Sequence, residues 1–222
     1  MIIGSGLIAN SLKNIDSEQN LFFASGVSNS LETRSSEFER EFSLLKKNIE
    51  EHGDKKLIYF STLSIHDQSK QDSHYVLHKK EIENYIKNNL SSYLILRIGN
   101  IVGKGGNPNT LFNFLKNQIT NDLEFTVHNK ARRLLIDIDD ISKFLSSDCM
   151  QMNNQTINFA YPYYYNLKEI ITALQILINK EAIYNEINEG DFYRVDFNEK
   201  INDFFSGTGP QEYLQILAQK YI

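Results

Sequence analysis

The chain has 222 residues, 23 Lys and Arg against 28 Asp and Glu, a formal charge of −5 and 41% hydrophobic residues. This composition excludes a disordered or low-complexity chain, and the acidic surplus argues against a nucleic-acid binder, whose phosphate contacts show as a basic excess. The single cysteine, Cys149, excludes an internal disulfide, the five scattered histidines show no metal-ligand spacing, and no apolar run approaches the roughly 20 residues of a membrane span.

In chain order, a very short strand at 1–3 leads into Gly4-Ser5-Gly6-Leu7-Ile8-Ala9, and a second apolar run at 21–24 ends in Ser25-Gly26. Residues 36–51 carry Phe38, Phe42, Leu45 and Ile49 at helical spacing, with Ser35 or Ser36 as cap and His52-Gly53 as stop. The continuous apolar strand 57–60 suits a sheet covered on both faces. A polar loop and a helix over 74–87 follow. Next come strand 93–97, helix 110–119, strand 134–136, a short helix through 144, strand 156–159 and helix 167–178. The stretch 183–222 is aromatic and polar and closes with a helix from about 210. Strands alternating with helices predict an α/β fold with a doubly wound, mostly parallel sheet. No export signal is read at the N-terminus, so a soluble cytoplasmic protein is expected.

Gly4-x-Gly6-x-x-Ala9 follows a strand and precedes a helical stretch, the setting in which such a turn binds a pyrophosphate. The first glycine allows the turn, the second lets phosphate approach the backbone, and the small Ala9 permits close packing. A plain strand-to-helix turn has the same appearance, and the acid usual about 20 residues later is missing, with Asn29 and Ser30 in its place. Tyr75 and Lys79 stand at i and i+4, one helical face, where an ammonium near a phenol favours its ionised form. Twelve tyrosines make one chance match expected, and Tyr164 and Lys168 supply it. Context favours Tyr75, because Ser61, Thr62 and Ser64 lie at the carboxyl end of a buried strand, where open α/β sheets bind ligands. A local Ser/Thr turn is the alternative there.

Together, Gly4-x-Gly6-x-x-Ala9, a strand ending Ser61-Thr62 and Tyr75-x-x-x-Lys79 resemble the short-chain dehydrogenase/reductase superfamily. Leu96-Arg97-Ile98-Gly99-Asn100-Ile101-Val102-Gly103 and Arg133-Leu134-Leu135-Ile136-Asp137-Ile138-Asp139-Asp140 are similar to elements of its extended branch, the sugar-nucleotide epimerases, dehydratases and reductases. The resemblance covers about residues 1–180. It implies a Rossmann-like fold with Thr62 on the substrate oxygen, Tyr75 as acid/base, and Lys79 on the nicotinamide ribose, lowering the tyrosine pKa. It also implies Asn100 and Arg133 on the nucleotide sugar, Arg133 on its diphosphate. A solvated surface cation is the alternative for Arg133, as for Arg132, and a helix cap is favoured for Asp139 and Asp140. The loop 103–110 is read either as a diphosphate-holding loop or as a plain connection.

Only eleven residues separate Ala9 from Leu21, one crossover's worth, so two strands of the usual nucleotide-binding half are absent. The run 21–26 then resembles the family's fourth strand, with Ser25, Gly26 and Val27 bordering the cofactor. Gly4, Gly6, Leu7, Ile8, Ser25, Gly26, Val27 and Lys79 are the expected cofactor-binding set. NAD and NADP are not separated, with a lean to NADP. The expected domains are 1–182, a Rossmann-like catalytic domain with substrate-loop excursions near 100–133, and 183–222, a small substrate-binding region. The resemblance implies a reductase of a nucleotide-activated keto-sugar, a 4-keto-6-deoxy-hexose by preference, in bacterial surface-polysaccharide synthesis. The alternatives are an epimerase of the same class and a non-catalytic nucleotide-sensing protein. No nucleic acid, membrane or metal is expected. Helices 36–51 and 74–87 suit a homodimer interface, though Phe38, Phe42 and Leu45 equally suit an internal core.

Overall fold

The computed structural model describes residues 1–108, 110–147, 151–190 and 192–222. Cys149 and position 109 of the 103–110 loop therefore lie outside the described residues. In chain order the elements begin with β1 (Ile2–Ile3), α1 (Leu7–Ser11), β2 (Asn20–Phe23), α2 (Ser35–His52), β3 (Lys56–Thr62), α3 (His74–Asn89) and β4 (Tyr93–Ile98). They continue with β5 (Asn100–Val102), α4 (Leu111–Thr120), β6 (Phe125–His128), β7 (Arg132–Arg133), β8 (Leu135–Asp137), α5 (Ile138–Ser147) and β9 (Gln155–Phe159). The last are β10 (Tyr165–Asn166), α6 (Leu167–Ile178), β11 (Tyr184–Ile187), α7 (Glu199–Phe205) and α8 (Pro210–Tyr221). Among the described residues no helix is long and apolar enough to cross a membrane.

Two compact units are present: residues 1–98 with 138–159, and residues 99–137 with 160–222. The first holds a five-stranded sheet in the order β1-β2-β3-β4-β9, parallel throughout. Leu57 to Phe60 on β3 are all buried, which is what a central parallel strand covered on both faces requires. Leu45 of α2 joins Leu21, Phe23, Leu57, Tyr59, Ile82, Ile86 and Ile95 in one apolar cluster. Leu45 has no exposed surface and so belongs to the chain's own core. Phe42 stands edge-on to Tyr85 of α3 at 5.1 Å, and Phe38 lies 4.7 Å from the His78 ring.

Helix α2 starts without the expected serine cap. Its N-cap position is Arg34, which makes no side-chain capping bond. The turn before it is organised by Glu32, whose carboxylate accepts from the Thr33 and Arg34 amides and from the Arg34 guanidinium. Helix α3 is capped by Ser73 Oγ, which accepts from the Val76 amide at 3.3 Å. Asp139 and Asp140 fall inside the first turn of α5, where negative charge is favoured by the helix dipole.

The second unit is built from three two-stranded ladders, β5 with β8, β7 with β10 and β6 with β11. The strand expected at 134–136 is β8, paired with β5 outside the five-stranded sheet. Buried Asp137 fastens α8: it accepts from Tyr221 Oη at 2.5 Å and Lys220 Nζ at 2.7 Å, and its amide donates to Tyr213 Oη. Tyr213 stacks on Tyr161 with centroids 4.1 Å apart.

Because Leu45 fills the core without residual exposure, Leu45→Ala is expected to lower the unfolding free energy by about 2–5 kcal/mol. Urea denaturation measures this, and a loss below about 1 kcal/mol would show that the site collapses around the missing side chain.

Candidate functional site

Three strand ends in the first unit carry the residues of interest. At the end of β1, Gly4 has φ +131°, and a Cβ there would stand 2.4 Å from the Ala24 carbonyl oxygen. Glycine is thus demanded by the close approach of the β1 turn to the end of β2. Gly6 differs: it is exposed, and a Cβ added there would meet nothing within 4 Å. The fold makes no local demand for glycine at this position, and its backbone is open to a ligand. Leu7 and Ile8 are half-buried in α1, and Ala9 is buried. The helix behind the turn is only five residues long, so its dipole is small.

Behind β2, the Ser25–Val27 segment is tied to α2. Arg40 reaches the Ser25 carbonyl and hydroxyl at 3.4 Å. The Val27 amide donates to Glu41 Oε2 at 2.7 Å. A Cβ at Gly26 would lie 2.9 Å from both Glu41 Oε1 and Lys79 Nζ, so a side chain there would displace one of them.

Those contacts lead to the Tyr75–Lys79 pair on α3. Lys79 is 2% exposed, and its ammonium lies 5.7 Å from the centroid of the Tyr75 ring. It donates to Glu41 Oε1 at 2.8 Å and to Tyr59 Oη at 3.0 Å. Tyr59 in turn donates to Glu41 Oε1 at 2.7 Å, and His78 Nε2 meets Glu41 Oε2 at 3.0 Å. Four donors from three parts of the chain thus converge on one carboxylate that has no exposed surface. Burial alone would raise the Glu41 pKa, but the charge of Lys79 and the hydrogen bonds from His78, Lys79 and the Val27 amide hold it down at about 2. The Tyr59 phenol is pushed well up, by burial first and by the Glu41 charge second. Tyr75, nearly buried, packs against Val27, Val76, Phe38 and Ile65.

Thr62 ends β3, and its Oγ1 accepts from the Ser64 amide at 3.1 Å. This is a local Ser/Thr turn, and it leaves the hydroxyl proton available as a donor. Ser61 donates to Glu83 Oε1 at 2.7 Å, and Arg97 grips the same carboxylate with Nε and Nη2 at 2.9 and 2.6 Å. Burial would raise the Glu83 pKa, but the Arg97 fork outweighs it and holds it low. The second Tyr–Lys pair at this spacing is engaged elsewhere: Tyr164 Oη accepts from the Val195 amide at 2.7 Å, and Lys168 pairs with Glu186 at 2.6 Å.

Asn100 and Arg133 belong to the second unit, on adjacent chain segments, since the Asn100 amide donates to the Leu134 carbonyl at 2.7 Å. Asn100 is exposed and Arg133 half-buried, with Nη1 on the Arg132 carbonyl at 2.8 Å. Arg132 is folded back on the Asn129 and Ala131 carbonyls.

Nothing in the motifs singles out Glu41, Tyr59 or His78. A signal for the first does exist, because position 41 falls on the stripe of Phe38, Phe42 and Leu45, where a carboxylate must be paired. The Glu41 pKa also fixes a pH dependence. A depressed carboxylate contributes stability that is fully present above its unfolded value of 4.5 and drains as the pH falls toward about 2. Urea denaturation from about pH 5.5 to 2.5 is expected to cost the wild type roughly 1–3 kcal/mol more than Glu41→Gln. Parallel pH curves for the two proteins would exclude it.

No protein-family model and no curated protein sequence matches the chain. Solved structures do. It is similar to a UDP-N-acetylglucosamine 4-epimerase from Methanobrevibacter ruminantium M1 at TM-score 0.72 and 16% identity, over 98% of this chain and 80% of the other. A dTDP-glucose 4,6-dehydratase from Bacillus anthracis, in complex with NAD, gives 0.69 and 14% over 90% and 71% of the two chains. RMD from Pseudomonas aeruginosa, complexed with NADPH, gives 0.70 and 13% over 91% and 80%. The chain therefore has the Rossmann-like α/β fold of these solved structures and spans 71–80% of their length.

Proposed function

We propose that the protein is an NAD(P)-dependent enzyme acting on a nucleotide-activated sugar, reducing a keto-sugar of the 4-keto-6-deoxy-hexose type for bacterial surface-polysaccharide synthesis. The observation that carries this reading is the buried Lys79 ammonium, 5.7 Å from the Tyr75 ring and beside Gly26, at the carboxyl ends of parallel strands. The residues fit a dinucleotide. Gly6 offers open, exposed backbone, the Gly26–Val27 segment borders Lys79, and the Lys79 ammonium keeps one N–H beyond the two it spends on Glu41 and Tyr59. The similar structures solved with NAD or NADPH support a nicotinamide cofactor of either kind. The UDP-N-acetylglucosamine 4-epimerase, solved in complex with UDP-N-acetylmuramic acid, supports a nucleotide-sugar substrate.

In this reading a bound reduced nicotinamide supplies hydride to the carbonyl carbon. The Tyr75 hydroxyl gives its proton to the carbonyl oxygen, completing the alcohol, while the Thr62 hydroxyl donates to the same oxygen as charge develops on it. Lys79 holds a hydroxyl of the ribose with its remaining N–H. Asn100 and Arg133 take the nucleotide diphosphate, for which a guanidinium offers a matched fork of donors. An epimerase uses the same residues in both directions without net consumption of cofactor.

One observation favours a non-catalytic nucleotide-binding protein as the second reading: Glu41 compensates the charge of Lys79 inside the protein. Incubation with nucleotide-linked 4-keto-6-deoxy sugars and NADH or NADPH, followed by nicotinamide absorbance, separates the readings. Net oxidation is expected, with Tyr75→Phe lowering kcat roughly 10²–10⁴-fold while cofactor binding persists. Epimerised product without net oxidation would select the epimerase. Cofactor binding without turnover would select the non-catalytic protein, and the absence of both would reject the reading.

A further inference from the structure

We propose that Glu41 is a positioning residue, which fixes the Lys79 ammonium so that its one remaining N–H serves a neutral hydroxyl group of a bound dinucleotide. The inference rests on the functional reading above and adds to it a residue from α2.

The hydrogen-bond accounting is complete on the protein side. An ammonium has three donors, and Lys79 places one on Glu41 Oε1 and one on Tyr59 Oη. Tyr59 directs its own proton to Glu41 Oε1, which leaves its oxygen lone pairs for Lys79. Oε2 of the same carboxylate accepts from the Val27 amide and meets His78 Nε2. Glu41 therefore sets the position of Lys79 and of the Gly26–Val27 backbone together. The room is so small that a Cβ at position 26 would lie 2.9 Å from both Glu41 and Lys79, and a side chain there would displace one of them.

The charge accounting selects the ligand chemistry. Glu41 and Lys79 form a pair 2.8 Å apart with no more than 2% exposure on either side. An anion approaching Lys79 meets the Glu41 charge 2.8 Å from the ammonium, so much of the Coulomb attraction is cancelled. A hydroxyl needs only the hydrogen bond, which survives that cancellation. The pair is thus matched to a ribose edge and mismatched to a phosphate.

A double-mutant cycle on binding tests this. NADH and NADPH are titrated by calorimetry into the wild type, Glu41→Gln, Lys79→Met and the double variant, with folding checked by circular dichroism. If Glu41 acts through Lys79, each single variant binds at least tenfold more weakly and the double variant loses no more than the weaker single one. Losses that multiply in the double variant, or wild-type affinity in Glu41→Gln, overturn the inference. Should the single variants fail to fold because a buried charge is left unpaired, Glu41→Asp decides. It keeps the charge but withdraws the carboxylate by one methylene, and at least threefold weaker binding is expected where unchanged affinity would overturn the proposal. Glu83→Gln, which alters the other buried carboxylate near α3, is expected to lower the melting temperature with affinity unchanged. An equal loss of affinity there would assign the effect to general destabilisation and also overturn the role of Glu41. A wild type that binds neither dinucleotide removes the functional reading and this inference with it, whereas a wild type that binds in a multiplicative cycle removes the inference alone.

Discussion

A carboxylate with no exposed surface has to find its hydrogen bonds inside the protein, and Glu41 draws them from β3, α3 and the segment behind β2 at once. Withdrawing the charge from water costs several kcal/mol after relaxation, and the cost is offset only if every acceptor position finds a donor. That condition constrains the neighbourhood. Tyr59 must be a phenol with its hydroxyl in the core, the main chain at Val27 must turn its amide inward, and Gly26 can carry no side chain. An apolar residue at position 41 would pack against Leu45 and Phe42 at less electrostatic cost. What it would not do is hold one lysine, one tyrosine and one backbone segment at fixed separations.

The same helix carries a second buried ion pair of opposite sense. Lys79 of α3 pairs with α2, while Glu83, one turn later, pairs with Arg97 of β4 and takes the Ser61 hydroxyl of β3. Two charges four residues apart, each bonded to a different element, prevent α3 from rotating about its axis or sliding along it. Ile82 and Ile86 alone would not, because apolar contacts are non-directional. Tyr75 is four residues before Lys79 and inherits that fixed orientation. The second network also explains why Ser61, beside Thr62 in sequence, is not the hydroxyl at issue: its proton is committed to Glu83.

The alternation of strands and helices was legible because β3 and β4 are continuous apolar runs and α2, α3 and α6 carry clear helical periodicity. The short pieces β5, β6, β7, β10 and β11 were not. Ladders of two to four residues hold too few side chains to establish a period of two, and their pairings join segments far apart in the chain, such as Phe125 with Tyr184. Of the candidate site, the Tyr75–Lys79 spacing and the glycine turn could be read from local sequence, and the Gly26–Val27 border followed from the resemblance alone. Glu41, Tyr59 and His78 could not be tied to Lys79, because 38 and 20 residues separate Lys79 from the first two partners and only the folded sheet brings them together. The strand 134–136 could be read as a strand, but its partner β5 could not.

The strand and the α-helix around the Gly4–Gly6 turn are the shortest of their kind in the first unit. β1 is a two-residue strand at the edge of the sheet, with no strand beyond it among the described residues. The helix that follows is five residues long, too short to sum many aligned peptide dipoles. Under the proposed reading, a pyrophosphate at Gly6 gains direct backbone hydrogen bonds but little field from the helix behind it, and an adenosine beyond β1 finds no flanking strand to rest on. Binding energy lost at that end has to be recovered at the other, where the contacts are short, buried and mutually fixed. A lysine left mobile would lose side-chain entropy on each binding event. One already immobilised by Glu41 and Tyr59 does not, so under the proposed reading pre-organisation at Lys79 offsets the short phosphate end.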